Sequence, residues 1–416
     1  MLSFCNFHST VQPLKRIAYI LSLVIALVIA PGSLLSQPSR EKLLFNFCGE
    51  PVALSYDKAS FVDFTSALSE KAMQDFYQSI TSTDQEALIQ ELLNYKKAFK
   101  LDDWLYYQLI RKTAQQISPK ADNYYRYTLY KWFLLTRSGY DATLSIAGDK
   151  ILFYVQSDES IYNLPGHLKN GKQYICLNYH DYGSNIDFEN NRFTEVKFPQ
   201  SGFQKPFSYK ITQLPDFQPA DYAVKEIGFT YNENDYHFKV KLNPQIKAIF
   251  ANYPVVDYES YFNIPLSNET YSSLIPLLKK QVKGMNEKNG VDFLMRFTRY
   301  AFLFEPDTRQ FGDEKRLSPE QTLLYEQSDC EDRAALFFYL VKEIYNLPML
   351  VLAFPQHVTI AVKFDKPVGT PIVYNGMKYS VCEPTPQKQD LSIGQLLPAL
   401  AKTPYEVAYA YTPAHQ

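Results

Sequence analysis

Residues 333–348, "RAALFFYLVKEIYNLP", read as a helix with almost no polar face. Ala334, Ala335, Leu336, Phe337, Phe338, Leu340, Val341 and Ile344 cover nearly all of its sides. A helix apolar all round belongs inside a domain, where other elements must wrap it. Asn346 and Pro348 end it. The wrapping elements follow in the chain. "MLVLAF", "HVTIAVKF" and "KYSVCEP" have the β-branched and apolar pattern of strands in one antiparallel sheet. The C-terminal part is therefore expected to be a buried helix packed on an antiparallel sheet, and the fold class α+β.

Upstream, residues 61–116 carry apolar residues at three- and four-residue intervals and read as helical, with Ser82 and Asp84 as caps. Residues 124–137 form another helix, ending at Gly139. From Ala142 to about Leu242 the pattern turns to strands, "ILFYV", "QYICLNY" and "HFKVKL" among them. "NEND", residues 232–235, is a hairpin turn between two of them. "NYPVVDYESYFNIPLSNET" reads as a linker, and "YSSLIPLLKKQVKGM" and "GVDFLMRFTRYAFLF" as helices after it. The expected division is a helical, α+β domain over 50–180, a β-rich domain over 181–250 and a C-terminal domain over 266–416.

The chain has 416 residues, enough for two or three domains. Its net charge of −2 gives no basic footprint for nucleic acid. With only 15 glycines it holds neither phosphate-binding glycine motif. No calcium loop of the DxDxDG type and no CxxC pair occurs, so neither a metal nor a cofactor is expected. Lys15 and Arg16 precede the apolar run "IAYILSLVIALVIA", and "PGSLLSQ" supplies small residues for cleavage near Ser36. This is the pattern of a signal peptide over 1–36, implying export to a periplasmic or extracellular space. An uncleaved membrane anchor is the alternative. Cys48, Cys176, Cys330 and Cys382 would remain after cleavage and could form two disulfides, with at least Cys330 expected to stay a free thiol.

Cys330 falls on the first turn of the buried helix, with Asp329 as N-cap. The helix N-terminus is expected to lower the thiol pKa, against Asp329, Glu331 and Asp332, which act to raise it. Glu331, Asp332 and Arg333 are expected to point away from the thiol, leaving His357 to stabilise a thiolate. His357 opens a strand and Glu383 ends the next one. A nucleophile, a base and an acid that orients the base are the parts of acyl transfer. Gln327 and Tyr325 are candidates for a second oxyanion donor beside the Cys330 N–H. Strand alternation turns Cys382 to the layer opposite Glu383. His180 and His237 have no partners at ligand spacing and read as core or surface residues.

Taken together, "SDCEDRAALFFYLVKEIYNLP", "HVTIAVKF" and "YSVCEPT" resemble the transglutaminase-like superfamily. Its pattern is a Cys near "GDCED", a His beginning an apolar strand and an Asp in "DPT". The resemblance covers roughly residues 271–385 and implies a papain-like fold with Cys330 as nucleophile, His357 as base and Glu383 as orienting acid. Ser328 stands where glycine is common, and Glu383 where aspartate is usual.

The chain also resembles itself. At an offset of 207, residues 122–158 lie over 329–365 without a gap, pairing Asp122 with Asp329, Arg126 with Arg333 and Leu129 with Leu336. At an offset of 205, "NGKQYICLN" lies over "NGMKYSVCE". Cys330, His357 and Glu383 then correspond to Asn123, Lys150 and Asn178, which cannot form a thiolate–imidazole pair. The first copy is expected to be a silent domain of the same fold.

The functional expectation is an exported thiol acyl-transfer enzyme acting on protein or peptide amides. Water as acceptor makes it a peptidase or amidase, an amine a crosslinking enzyme. The alternative is an inactive protein of this fold that binds peptides or serves as a scaffold.

Overall fold

The structure is a computed structural model that describes residues 40–188, 192–199, 204–305 and 315–414. The expected signal peptide, 1–36, lies outside these residues. The described chain begins with a hairpin that the periodicity did not suggest, β1 (Arg40–Phe47) paired with β2 (Glu50–Asp57). Cys48 and Gly49 turn it, both with positive φ, at 53° and 84°. That geometry suits the right-handed twist of a two-residue hairpin.

The expected helical stretch resolves into α1 (Glu70–Thr81), α2 (Glu86–Ala98) and α3 (Asp103–Ile117), followed by α4 (Tyr124–Arg137). Of the two expected caps, Ser82 caps a helix and Asp84 does not. Ser69 caps α1 by accepting from Ala72, and Ser82 is its C-cap. Asp84 accepts from the Glu86 N–H. Lys100, at a φ of 50°, breaks the chain between α2 and α3, where periodicity alone runs through.

A five-stranded antiparallel sheet follows: β3 (Ala142–Ala147), β4 (Lys150–Gln156), β5 (Gly166–Lys169), β6 (Lys172–Cys176) and β7 (Thr194–Val196). Next comes the hairpin of β8 (Ala223–Tyr231) and β9 (Asn234–Leu242). Its turn residues Asn232 and Glu233 sit at φ 47° and 62°, as a tight primed turn requires. The short helices α5 (Ile246–Ile249) and α6 (Tyr258–Phe262) lie in and beside the stretch read as a linker. That stretch is core instead: Tyr261, Phe262 and Ile264 are all buried. Its prolines and asparagines hid three closely spaced apolar anchors.

The chain continues through α7 (Asn268–Val282), α8 (Glu287–Tyr300), β10 (Leu303–Phe304), α9 (Pro319–Leu324), β11 (Gln327–Ser328) and α10 (Cys330–Tyr345). A second five-stranded antiparallel sheet closes it: β12 (Met349–Phe354), β13 (His357–Val362), β14 (Ile372–Tyr374), β15 (Met377–Cys382) and β16 (Glu406–Tyr411). The fold is α+β, with two curled antiparallel sheets.

The two sheets have the same strand order, β5-β6-β4-β3-β7 and β14-β15-β13-β12-β16. Their registers also coincide. Ala142 pairs with Val155, and adding 207 to each gives the pair Met349 and Val362. Val155 pairs with Ile175, whose counterparts Val362 and Ser380 are paired as well. In each case a long helix, α4 or α10, precedes the sheet and packs on it.

Alternation along the strands sorts the core. Val351, Val358, Ile360, Val362 and Cys382 join the main cluster with α10, while Leu350, Leu352, Phe354, Ala361 and Val381 form a separate cluster on the opposite face. Both faces of β12 are covered, which explains its unbroken apolar sequence.

Candidate active site

The site is built at the N-terminus of α10. Asp329 caps the helix, accepting from the N–H groups of Glu331 at 3.0 Å and Asp332 at 3.2 Å. Asp332 returns a bond to the Asp329 N–H, closing a capping box. Asp332 also accepts from the Leu317 N–H at 2.8 Å, and Glu331 accepts from Arg316 Nε at 2.7 Å. Arg333 donates to the carbonyls of Thr298, Arg299 and Phe302 and so ties the turn before the helix to the end of α8. The charged residues next to Cys330 are thus turned to partners of their own.

Two strands bring the other groups. His357 opens β13 directly after a two-residue turn from β12. Pairing between β13 and β15 is seen only from Ile360 opposite Cys382 onward. The strands separate below that point, and side chains bridge the gap. His357 Nε2 lies 2.7 Å from Glu383 Oε2. The other carboxylate oxygen accepts from the Thr385 N–H at 2.9 Å. Glu383 is 1% exposed. Its main-chain carbonyl is held by Arg299, whose Nε donates at 3.1 Å and whose Nη2 donates as well. Cys330 meets the same strand, because the Val358 N–H donates to its sulfur. Cys330, the start of β13 and Glu383 therefore converge on one end of the second sheet.

The electrostatics reverse one expectation. The Cys330 thiol is pushed well above its ordinary pKa, first by burial and then by Asp329, with Glu331 and Glu383 adding to the rise. The Val358 N–H opposes them and does not prevail. Charge–dipole attraction at a helix N-terminus is worth about 0.3–1 kcal/mol. Desolvation and three nearby carboxylates outweigh it here, and the Cys330 thiol rests neutral.

The remaining candidates fall elsewhere or stay peripheral. The backbone of Gln327 pairs with Leu303 in a short parallel ladder. Tyr325 lies with its ring 4.4 Å below Lys247 Nζ, and its carbonyl accepts from Lys225. Cys382 is fully buried in the main core, its Sγ 3.6 Å from the Ser380 carbonyl. His180 is driven down to about 4 by burial, and His237 pairs at the surface with Glu226 at 3.0 Å. Cys48, Cys176, Cys330 and Cys382 are all free thiols. Among the described residues, no group of three His, Cys, Asp or Glu side chains could hold a metal ion.

Sequence reasoning missed Arg299 and Thr385, and it turned Arg333 away from the thiol without naming the carbonyls it holds. A sequence cue existed for Arg299, which interrupts a strongly apolar helical run, where an unpaired charge is costly.

The first sheet carries none of this chemistry at the corresponding place. Asn123 caps α4, accepting from the Arg126 N–H at 2.9 Å. Lys150 pairs with its neighbour Asp149. Asn178 is fully buried and bonds to Tyr124 Oη, the Ile151 carbonyl and the Phe153 N–H. Its amide stitches shut the gap that His357 and Glu383 bridge in the second sheet. In comparisons with known proteins, no family model, no curated protein and no solved structure matches the chain.

Proposed function

We propose that the chain is a transglutaminase-like, papain-like thiol acyl-transfer enzyme, exported from the cell and acting on protein or peptide amides. The observation that carries this reading is the 2.7 Å contact between His357 and the buried Glu383, beside the thiol at the head of α10. A buried carboxylate that grips one imidazole nitrogen fixes the ring and its tautomer. With Nε2–H donated to Glu383, Nδ1 is the basic nitrogen.

In this mechanism Nδ1 takes the Cys330 proton as sulfur attacks the amide carbonyl. The oxyanion forms against the Cys330 N–H, which Asp329 leaves uncapped while it binds the next two. The imidazolium returns the proton to the leaving amine, and a thioester remains. Water or a second amine then attacks that thioester, His357 accepting the proton of the attacking group; the C–S bond breaks, and the imidazolium returns the proton to the departing Cys330 sulfur. Glu383 stabilises the imidazolium in both steps. The raised thiol pKa suits a general-base route, in which proton transfer accompanies attack, better than a preformed ion pair.

The second reading is a binding or scaffold protein of this fold. The observation favouring it is the same burial that holds Cys330 protonated. A thiol-reactive peptide-amide mimic separates the two, with mass spectrometry locating the adduct. The enzyme reading expects modification at Cys330 that is lost in Cys330→Ala while the fold survives. Labelling spread evenly over Cys48 and Cys330, or none at Cys330, favours the scaffold.

A further inference from the structure

A pocket lined by residues 46–127 and by the short helix α5 shares no residue with the site at Cys330. Its volume is about 600 Å³, and Phe47, Arg111, Lys112, Lys120, Tyr127 and Ile249 are among its walls. Three of its lining residues are cations, and none is a carboxylate. Asp181 lies 2.5 Å from Lys120 and also acts on Arg111 from a longer range. Among the described residues, neither Arg111 nor Lys112 makes an ion pair.

Arg111 is not simply a solvated surface charge. Its Nη1 donates to Gln108 Oε1 at 2.8 Å, and Tyr127 also accepts from it. These bonds fix the guanidinium against the pocket wall. They also leave the Gln108 Nε2 enclosed and without a partner. A further cation stands behind Tyr127, the fully buried Lys131, with Nζ 4.4 Å from the ring centroid. A concave site with fixed cations, an orphaned amide donor and apolar walls has the chemistry of an anion site. A bound anion here would meet several cations and no lining carboxylate.

We propose that this pocket binds a small anionic ligand through Arg111 and Lys112, with Gln108 supplying an amide donor. The ligand class is a carboxylate or a phosphate ester, with an apolar part to cover Phe47 and Ile249. The proposal does not depend on the activity assigned to Cys330.

The test uses the full chain, with citrate and inorganic pyrophosphate as separate probes. Each is compared with sodium chloride at matched ionic strength, by thermal unfolding and by titration calorimetry. At least one probe is expected to raise the unfolding midpoint above the chloride control, and the responding probe identifies the class. Arg111→Gln and Lys112→Gln should each weaken its binding tenfold or more. Lys112 is exposed, so its variant keeps the fold even where Arg111→Gln does not. The proposal is overturned if neither probe exceeds chloride, or if Lys112→Gln binds as tightly as the parent chain.

Discussion

Cys330 sits where a helix dipole favours a thiolate, yet burial and carboxylates keep it protonated. This gives a pH prediction with a definite sign. A raised thiol pKa means that the reactive thiolate grows as pH rises beyond the ordinary thiol range. Alkylation of Cys330 by iodoacetamide should accelerate steadily from pH 6 to 10. A rate already level below pH 7 would mean a preformed thiolate–imidazolium pair. Glu383 gives a second prediction. A hydrogen bond to a charged partner contributes roughly 1.5–3 kcal/mol, so Glu383→Gln should slow acylation of Cys330 by about 10–100-fold. Glu383→Asp, with less reach, should keep part of the rate. Single-turnover acylation measures both. Cys330, His357 and Glu383 were legible as candidates because each stands at the start or just past the end of an element with a recognisable pattern. The partners of Arg299 were not, since it reaches the main-chain carbonyls of Glu383 and Leu391 and the side chain of Asp390, all more than 80 residues away.

At the scale of elements, α4 and α10 occupy the same place before their sheets but differ at one telling position. Lys131 of α4 corresponds at the 207 offset to Phe338 of α10, and both are buried. Burial drives the Lys131 pKa down to about 7, from an ordinary 10.5. Below pH 7 both folded and unfolded chains hold the proton, and the folded state bears the full cost of enclosing the charge. Between pH 7 and about 10.5 the unfolded chain binds more protons, so this group makes stability rise with pH. Lys131→Met should therefore stabilise the protein on the order of a few kcal/mol below pH 7. The gain should fade toward pH 10. Denaturant titrations at pH 6 and pH 10 would show it, and equal effects at both would refute the assignment. The internal repeat was legible because helix and strand periods recur at a fixed offset. The β1–β2 hairpin was not, because its turn at Cys48 and Gly49 has no asparagine–glycine signature.

For the whole molecule, one hydrophobic cluster runs from Phe47 to Ile393 and includes residues of both sheets. Residues from Arg40 onward form one compact unit. Sequence alone could not reveal this, because contacts such as Trp104 Nε1 to the Ile249 carbonyl join positions far apart in the chain. The consequence is cooperative unfolding. Both tryptophans, Trp104 and Trp132, lie in the first half, while Cys382 is buried in the second. Tryptophan fluorescence and thiol exposure of Cys382 should change at the same denaturant concentration. Midpoints that separate would mean that the halves unfold independently.

The central claim is that Cys330, His357 and Glu383 act as one unit, and a double-mutant cycle on the rate of Cys330 acylation tests it most directly. Groups that work through one another give losses that do not add. His357→Ala should abolish most of the rate, and adding Glu383→Gln should then cost nothing further, because the acid acts only through the imidazole. Losses that multiply across the cycle, or a rate that His357→Ala leaves unchanged, would contradict the account.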